Sequence, residues 1–114
     1  MHEVGVISSI LATVEGVMKD EELTEVEAIV LDVGELSGVV PHYMEECWPA
    51  ATYKTQFQDT KLEMNVIPGI LKCNKCQKEF NGYKFNLKCP ACKNDIDFTP
   101  ISGRELMIKE IRGC

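Results

Sequence analysis

The sequence predicts an α+β protein in which two helices cover a small three-stranded sheet and a cysteine-rich insert precedes the last strand. Three observations lead to this prediction. Apolar residues recur at helical spacing in two segments, three further segments have the composition or alternation of strands, and four cysteines lie in one tract before the third of these strands. Packing the helices on the sheet buries the apolar surfaces of both.

The first helix is predicted over residues 4–19, where apolar side chains recur at steps of three and four residues and therefore share one helix face. These side chains are Val4, Ile7, Ile10, Leu11, Val14, Val17 and Met18. A loop at residues 20–22 ends the helix. Residues 24–33 are rich in β-branched side chains and predict the first strand.

The second helix is predicted to begin near Pro41, because proline has no N–H and the first turn of a helix leaves that group unpaired. A break at residues 34–38 precedes this helix, and Pro49 inside it predicts a kink. The apolar side chains that this helix is expected to carry are Tyr43, Met44, Cys47, Trp48 and Ala51, with Phe57 as a further candidate. Tyr43, Cys47 and Trp48 are expected in the core. Residues 61–66 alternate between apolar and polar and predict the second strand, and residues 104–111 predict the third.

The tract between these last two strands differs from the rest of the chain in composition. Residues 73–92 contain four cysteines and many Lys and Asn but little apolar material, so we expect no hydrophobic core within this insert. The predicted domains are therefore a cysteine-containing domain at residues 69–99 and an α/β domain formed by residues 1–68 and 100–114.

The overall composition limits the class of protein. Hydrophobic residues make up 45% and charged residues 26% of the 114 residues, which predicts a folded core. The net charge of −6 repels phosphate backbones and argues against binding to nucleic acid. Neither a secretory signal nor an apolar run of membrane-spanning length is visible, so the chain is predicted to be cytoplasmic. Six cysteines in a reducing compartment indicate metal ligation rather than disulfides.

The strongest motif is a pair of C-x2-C sequences. Cys73 and Cys76 are separated by twelve residues from Cys89 and Cys92. Two such loops can supply the four tetrahedral thiolates that Zn²⁺ prefers, and four thiolates leave no open position for chemistry. A rubredoxin-like iron site is an alternative with the same ligands. The prediction is a zinc-ribbon-like knuckle whose metal has a structural role and supplies much of the folding energy of the insert.

The amino terminus offers a second, weaker signal. The α-amine of Met1 and the imidazole of His2 can chelate a metal together with the intervening amide, a planar nitrogen arrangement that Ni²⁺ and Cu²⁺ favour. Taken alone, His2 is weak evidence for a metal site, because an ordinary mobile second residue is the more common case. Among the remaining groups, His42 is expected at the surface and Cys47 in the core, whereas Cys114 suggests no function.

Four segments together resemble the HypA/HybF family of [NiFe]-hydrogenase maturation proteins. They are Met1-His2-Glu3, Val33-Gly34-Glu35-Leu36-Ser37-Gly38-Val39, the paired C-x2-C motifs, and Ser102-Gly103-Arg104-Glu105-Leu106 followed by Ile108-Lys109-Glu110-Ile111. The resemblance extends over essentially the whole chain, in the same order. It implies the family fold, a nickel-binding α/β domain with a zinc-ribbon-like insert.

The resemblance also implies a function and its ligands. It implies a nickel metallochaperone that delivers Ni(II) to the hydrogenase large subunit, with the cargo bound by His2, the Met1 amine and Glu3 as a further candidate. Structural zinc would be bound by Cys73, Cys76, Cys89 and Cys92. The implied partners are a HypB-type GTPase, the hydrogenase large subunit and urease accessory proteins, and the expected state is a monomer or weak homodimer.

Parts of the sequence are also compatible with other classes of function. A zinc-ribbon module that binds protein or nucleic acid is suggested by the local basic charge of the insert and by its three aromatic residues, Phe80, Tyr83 and Phe85. The acidity of the remaining chain opposes the nucleic-acid version. An enzyme is not expected, because the sequence contains no nucleophile–base set, phosphate loop or open zinc position.

Overall fold

The structure is a computed structural model that describes residues 3–114. Within this range, the chain forms α1 (Glu3–Asp20), β1 (Val26–Gly34), α2 (Pro41–Thr52), β2 (Lys61–Ile67), β3 (Ile70–Cys73), β4 (Glu79–Asn81), β5 (Phe98–Ser102) and β6 (Leu106–Gly113). The strands form two three-stranded sheets with the orders β2-β1-β6 and β4-β3-β5. The α+β class and the first sheet are confirmed, whereas the second sheet was not predicted.

Contacts divide the chain into two compact units. The helical unit consists of Met1–Leu31, Val40–Asn65 and Met107–Cys114, and the cysteine unit consists of Asp32–Val39 and Val66–Leu106. These units are defined by contacts alone, and the domains proposed from sequence, 1–68 plus 100–114 and 69–99, remain a prediction.

In the helical unit, α1 packs against α2, and most of the predicted apolar face of α1 is buried. Its buried apolar side chains are Ile7, Ile10, Leu11, Val14 and Met18. The prediction for Val4 was wrong, since its side chain is 48% exposed, whereas the neighbouring Glu3 is only 4% exposed. Glu3 lies one helical turn before Ile7, on the same face. The first buried position of α1 is therefore taken by a carboxylate rather than by a valine.

The helix α2 begins at Pro41, as predicted, and contains Pro49. Its buried residues are Met44, Trp48 and Thr52, which are spaced by four and so lie along one face. Tyr43 is 48% exposed because it lies one position off this face, and its predicted place in the core was wrong. The Trp48 indole donates a hydrogen bond to the carbonyl of Thr60 at 3.0 Å.

The Thr60 hydroxyl in turn donates to the carbonyl of Val26 in β1 at 2.7 Å. Phe57 is buried, but it follows α2 instead of lying in it, because the helix ends at Thr52. This chain of contacts joins α2, the segment after it and the start of β1, so the polar groups buried here have partners.

The cysteine unit is built on β3, which pairs antiparallel with β4 on one side and β5 on the other. Pro100 of β5 lies opposite Leu71 of β3, next to an irregularity in the register of the two strands. Proline is tolerated there because β5 is an edge strand and needs no N–H on its open side.

The cysteine unit has a small hydrophobic cluster. Its buried members are Leu71, Cys73, Phe80 and Cys89, and Leu36 and Phe98 pack against them. The rings of Phe80 and Phe98 meet edge to face at 5.4 Å between centroids. Leu36, Leu71 and Phe98 come from outside residues 73–92, so the insert does not build this cluster alone, in agreement with the prediction.

The turn after β1 is part of the cysteine unit. One carboxylate oxygen of Glu35 accepts hydrogen bonds from the Gly69 N–H and from the Asn81 side-chain amide, both at 2.9 Å. These hydrogen bonds lower the pKa of the Glu35 carboxyl, and the bond from the Gly69 N–H has the larger effect. Leu36 lies so close to Gly69 that a side chain at that position would overlap it. The Gly-Glu-Leu-Ser-Gly turn thus holds β3 and β4 in place.

Gly103 provides a test of how tightly this unit is packed. It has φ +73°, and an added Cβ would lie 2.2 Å from the carbonyl oxygen of Pro68, a backbone atom that cannot move aside. We expect Gly103→Ala to destabilise the protein by about 3 kcal/mol or more. Gly38→Ala is the matched control, because Gly38 also has a positive φ (+83°) but open space around it. Its expected cost is about 1–2 kcal/mol. Equal unfolding midpoints in urea for the two variants would contradict the packing argument.

No helix among the described residues is long and apolar enough to cross a membrane.

Candidate metal centre

The two C-x2-C sequences form two turns of the same geometry. In the first, the N–H of Gln77 donates to the Cys73 carbonyl and the N–H of Cys73 donates to the Lys78 carbonyl, both at 2.8 Å. In the second, Lys93 donates to the Cys89 carbonyl and Cys89 donates to the Asn94 carbonyl, both at 2.9 Å. The residue that follows each pair, Gln77 or Lys93, has a positive φ of 66° or 63°. The repeated turn directs both cysteines of each pair towards the same point.

The four sulfurs lie at distances suited to one metal ion. The Sγ atoms of Cys73 and Cys92 are 3.4 Å apart, those of Cys76 and Cys89 are 3.5 Å apart, and all four lie within 4.8 Å of one another. A tetrahedral zinc site with bonds of ~2.3 Å has sulfur–sulfur edges of about 3.8 Å. The four cysteines predicted from sequence therefore form a group that could hold a metal, and their spacing fits zinc.

The four cysteines are not equivalent. Cys73 and Cys89 are fully buried in the hydrophobic cluster, whereas Cys76 and Cys92 are exposed. Each turn thus contributes one sulfur from the interior and one from the surface. Solvent and competing ligands can reach the centre only from the side of Cys76 and Cys92.

The cysteine thiols of the group differ in pKa. Burial disfavours the Cys73 thiolate, but hydrogen bonds from the Asn94 side chain and from backbone N–H groups outweigh it and lower the pKa of Cys73 to about 6. At Cys76 a backbone N–H favours the thiolate, but burial and the neighbouring sulfurs raise the pKa to about 12. The pKa of Cys92 is also raised. A metal must displace protons from these two sulfurs, so its affinity falls as the pH falls.

A side-chain amide completes the surroundings of Cys73. Asn94 is 5% exposed, and its Nδ2 atom donates to the Cys73 sulfur at 3.3 Å and to the Asp97 carbonyl at 2.8 Å. Sequence reasoning missed Asn94. The only available signal was an Asn two residues after Cys92, a residue type common in turns.

The residues predicted for the nickel site fall mostly outside the described range. Met1 and His2 precede residue 3, and Glu3 is a buried residue in the first turn of α1. Among residues 3–114, the four cysteines form the only group of at least three His, Cys, Asp or Glu side chains that could hold a metal.

The other described histidine and cysteines are not members of this group. His42 is exposed, as expected, and its Nε2 atom lies 3.0 Å from the Glu46 carboxylate. Cys47 is half-buried rather than fully in the core, and Cys114 is exposed. The backbone of Cys114 is hydrogen-bonded to that of Thr24 and Glu25.

A sequence model described as "Hydrogenase/urease nickel incorporation, metallochaperone, hypA" matches residues 1–113. The chain belongs to the HypA family. Proteins named hydrogenase maturation factor HypA from Geobacter metallireducens and Geobacter sulfurreducens are 35% and 33% identical to it, in each case over 97% of both chains. The corresponding protein of Aquifex aeolicus is 29% identical over 97% of this chain and 96% of its own.

The fold is also similar to that of solved HypA structures. The solution structure of the Ni metallochaperone HypA from Helicobacter pylori has a TM-score of 0.69 at 21% identity, covering 99% of this chain and 97% of that one. A second solution structure of a HypA protein has a TM-score of 0.67. The family and fold predicted from the sequence are confirmed.

Proposed function

We propose that the protein is a nickel metallochaperone that delivers Ni(II) to the large subunit of [NiFe]-hydrogenase during maturation. The observation that carries this proposal is the family match, which begins at residue 1 and so includes Met1-His2-Glu3. The α-amine, the His2 amide and the His2 imidazole form fused chelate rings, an arrangement suited to square-planar Ni²⁺. Glu3 is proposed as a further ligand. The nickel is cargo, and no catalytic turnover is assigned to the protein.

The second part of the proposal is that Cys73, Cys76, Cys89 and Cys92 hold a structural zinc ion. The sulfur spacing fits a tetrahedral site, and four protein ligands leave no position for substrate. When bound, zinc would neutralise two of the four thiolate charges and join the two turns. The hydrophobic cluster of the cysteine unit is small, so metal binding contributes much of the stability of this unit.

The proposed partners are a HypB-type GTPase, the hydrogenase large subunit and urease accessory proteins, in the cytoplasm. The proposed state of the free protein is a monomer or weak homodimer. The test of delivery is a transfer assay, in which untagged protein loaded with one equivalent of Ni(II) is mixed with nickel-free large-subunit precursor. Nickel should appear in the precursor faster than from an equal amount of nickel–glycine complex. Equal rates from the two donors would overturn delivery.

Nucleic-acid binding is expected to be weak at physiological salt. The cysteine unit contains seven basic and six acidic side chains, a net charge of +1 within a chain of −6. Of the three aromatic residues within residues 73–92, Phe80 is buried and cannot stack on a base, whereas Tyr83 and Phe85 are exposed. Fluorescence anisotropy with a labelled single strand at ~150 mM salt should detect no binding at micromolar protein. Sub-micromolar binding with a steep salt dependence would instead favour an interaction module.

A further inference from the structure

The Asn94 side chain is held at every polar position. Its Nδ2 atom donates to the Cys73 sulfur at 3.3 Å and to the Asp97 carbonyl at 2.8 Å. Its Oδ1 atom accepts from the backbone N–H groups of Ile96 and Asp97 at 3.2 and 3.3 Å. With both donors and the acceptor engaged and the side chain 5% exposed, the amide has one orientation, and that orientation directs an N–H at a sulfur.

Asn94 also connects the two halves of the metal centre. It follows Cys92 by two residues, and its carbonyl accepts the N–H of Cys89 at 2.9 Å, so its backbone belongs to the second C-x2-C turn. Its side chain reaches the sulfur of Cys73 in the first turn. Apart from a shared metal ion, this contact links a residue of the second turn directly to a ligand of the first.

We propose that Asn94 is a positioning residue of the metal centre, whose amide holds the Cys73 sulfur in place and slows loss of the ion. An N–H directed at a metal-bound thiolate stabilises its negative charge without taking the place of the metal. Cys73 is also shielded from solvent. It is therefore the most persistent of the four ligands, and release begins at the exposed sulfurs of Cys76 and Cys92. This inference rests on the zinc site proposed above.

A purely structural role for Asn94, as a turn-forming residue, has to be separated from contact with the sulfur. Asn94→Asp makes this separation, because a carboxylate keeps an acceptor for Ile96 and Asp97 but replaces the donor with an anionic oxygen facing the thiolate. Asn74→Asp is the matched control. Asn74 lies in the first turn and donates from its side chain to the Asp97 carboxylate at 2.8 Å, so the control disturbs another contact of Asp97 without facing a sulfur.

The experiment measures zinc release from the full-length, zinc-loaded protein to excess chelator. We expect Asn94→Asp to release zinc at least about 10-fold faster than the wild type, and Asn74→Asp to stay within about 2-fold of it. Cobalt(II) substitution supplies a readout of the ligand itself, since the sulfur-to-cobalt charge-transfer band should shift in the Asn94 variant and not in the control. Equal release rates for the two Asp variants would overturn the proposal.

A second pair of variants tests the proposal if the Asn94→Asp protein does not fold. Asn94→Ala removes the donor without adding charge, and Asn74→Ala removes the other side-chain amide that is hydrogen-bonded to Asp97. Faster release from the first alone supports the proposal, and equal rates overturn it. Failure of the zinc site is distinguishable, because wild-type protein would then contain no stoichiometric zinc. Wild-type zinc content together with unchanged release from Asn94→Ala would refute only the role of Asn94.

Discussion

Replacing Cys73 with serine is expected to release the metal and unfold the cysteine unit while the helical unit stays folded. Serine is a poor zinc ligand, and its hydroxyl would be buried in the cluster that contains Leu71, Phe80 and Cys89. We expect the same result for Cys89→Ser. At the exposed positions Cys76 and Cys92, water can occupy the lost coordination site, so these variants should retain more structure. Metal analysis and amide-resolved NMR would measure both effects.

The controls are the two cysteines outside the cluster. Cys47→Ser and Cys114→Ser should keep one zinc ion per chain and the wild-type spectrum, because neither thiol belongs to the group of four sulfurs. Full zinc occupancy in all four cluster variants would refute the assignment of the site. Loss of the helical unit together with the cysteine unit would refute the expectation that the helical unit folds on its own core.

Tight nickel binding is expected to disappear both in His2→Ala and in protein with an uncleaved amino-terminal extension. The first change removes the imidazole, and the second moves the α-amine away from His2 and breaks the fused chelate although His2 is unchanged. Calorimetric titration should show at least a 100-fold loss of affinity in each. Such a loss corresponds to about 2.7 kcal/mol. The zinc content should be the same in all three proteins.

The pH dependence follows from the same ligands. An α-amine titrates near ~7.7–8.0 and imidazole near ~6.5. Protons occupy both groups below these values, so nickel affinity should fall steadily as the pH drops from about 8 to about 6. His42→Ala is the control, because this exposed histidine lies against Glu46 and should leave the titration unchanged. Equal nickel affinity in tagged and untagged protein would show that the amine is not a ligand.

The parts of the fold that could be predicted from sequence depend on neighbouring residues. Three predictions rest on such local patterns, and the structure agrees with each: the apolar face of α1, the start of α2 at Pro41, and the grouping of the four cysteines. Errors arose where two helix faces were equally plausible. Val4 and Tyr43 are apolar residues one position away from the buried face, and helical spacing alone does not exclude them.

The parts that could not be predicted depend on residues far apart in the chain. Glu35 accepts hydrogen bonds from Gly69 and Asn81, which are 34 and 46 positions away. Leu36 and Phe98 pack against the hydrophobic cluster of the cysteine unit, although both lie outside residues 73–92. The contact of Asn94 with Cys73 spans 21 positions and depends on how the two turns pair. Local patterns carry no information about such partners.

The division of the chain between the two units has a consequence for the order in which the protein is made. Residues 32–39 and 66–106 form the cysteine unit, and Met107–Cys114 belongs to the helical unit. On the ribosome, the whole cysteine unit is therefore synthesised before residues 107–113, which form nearly all of β6, the strand that completes the sheet β2-β1-β6. That sheet can gain its third strand only after all four cysteines of the metal centre have been made.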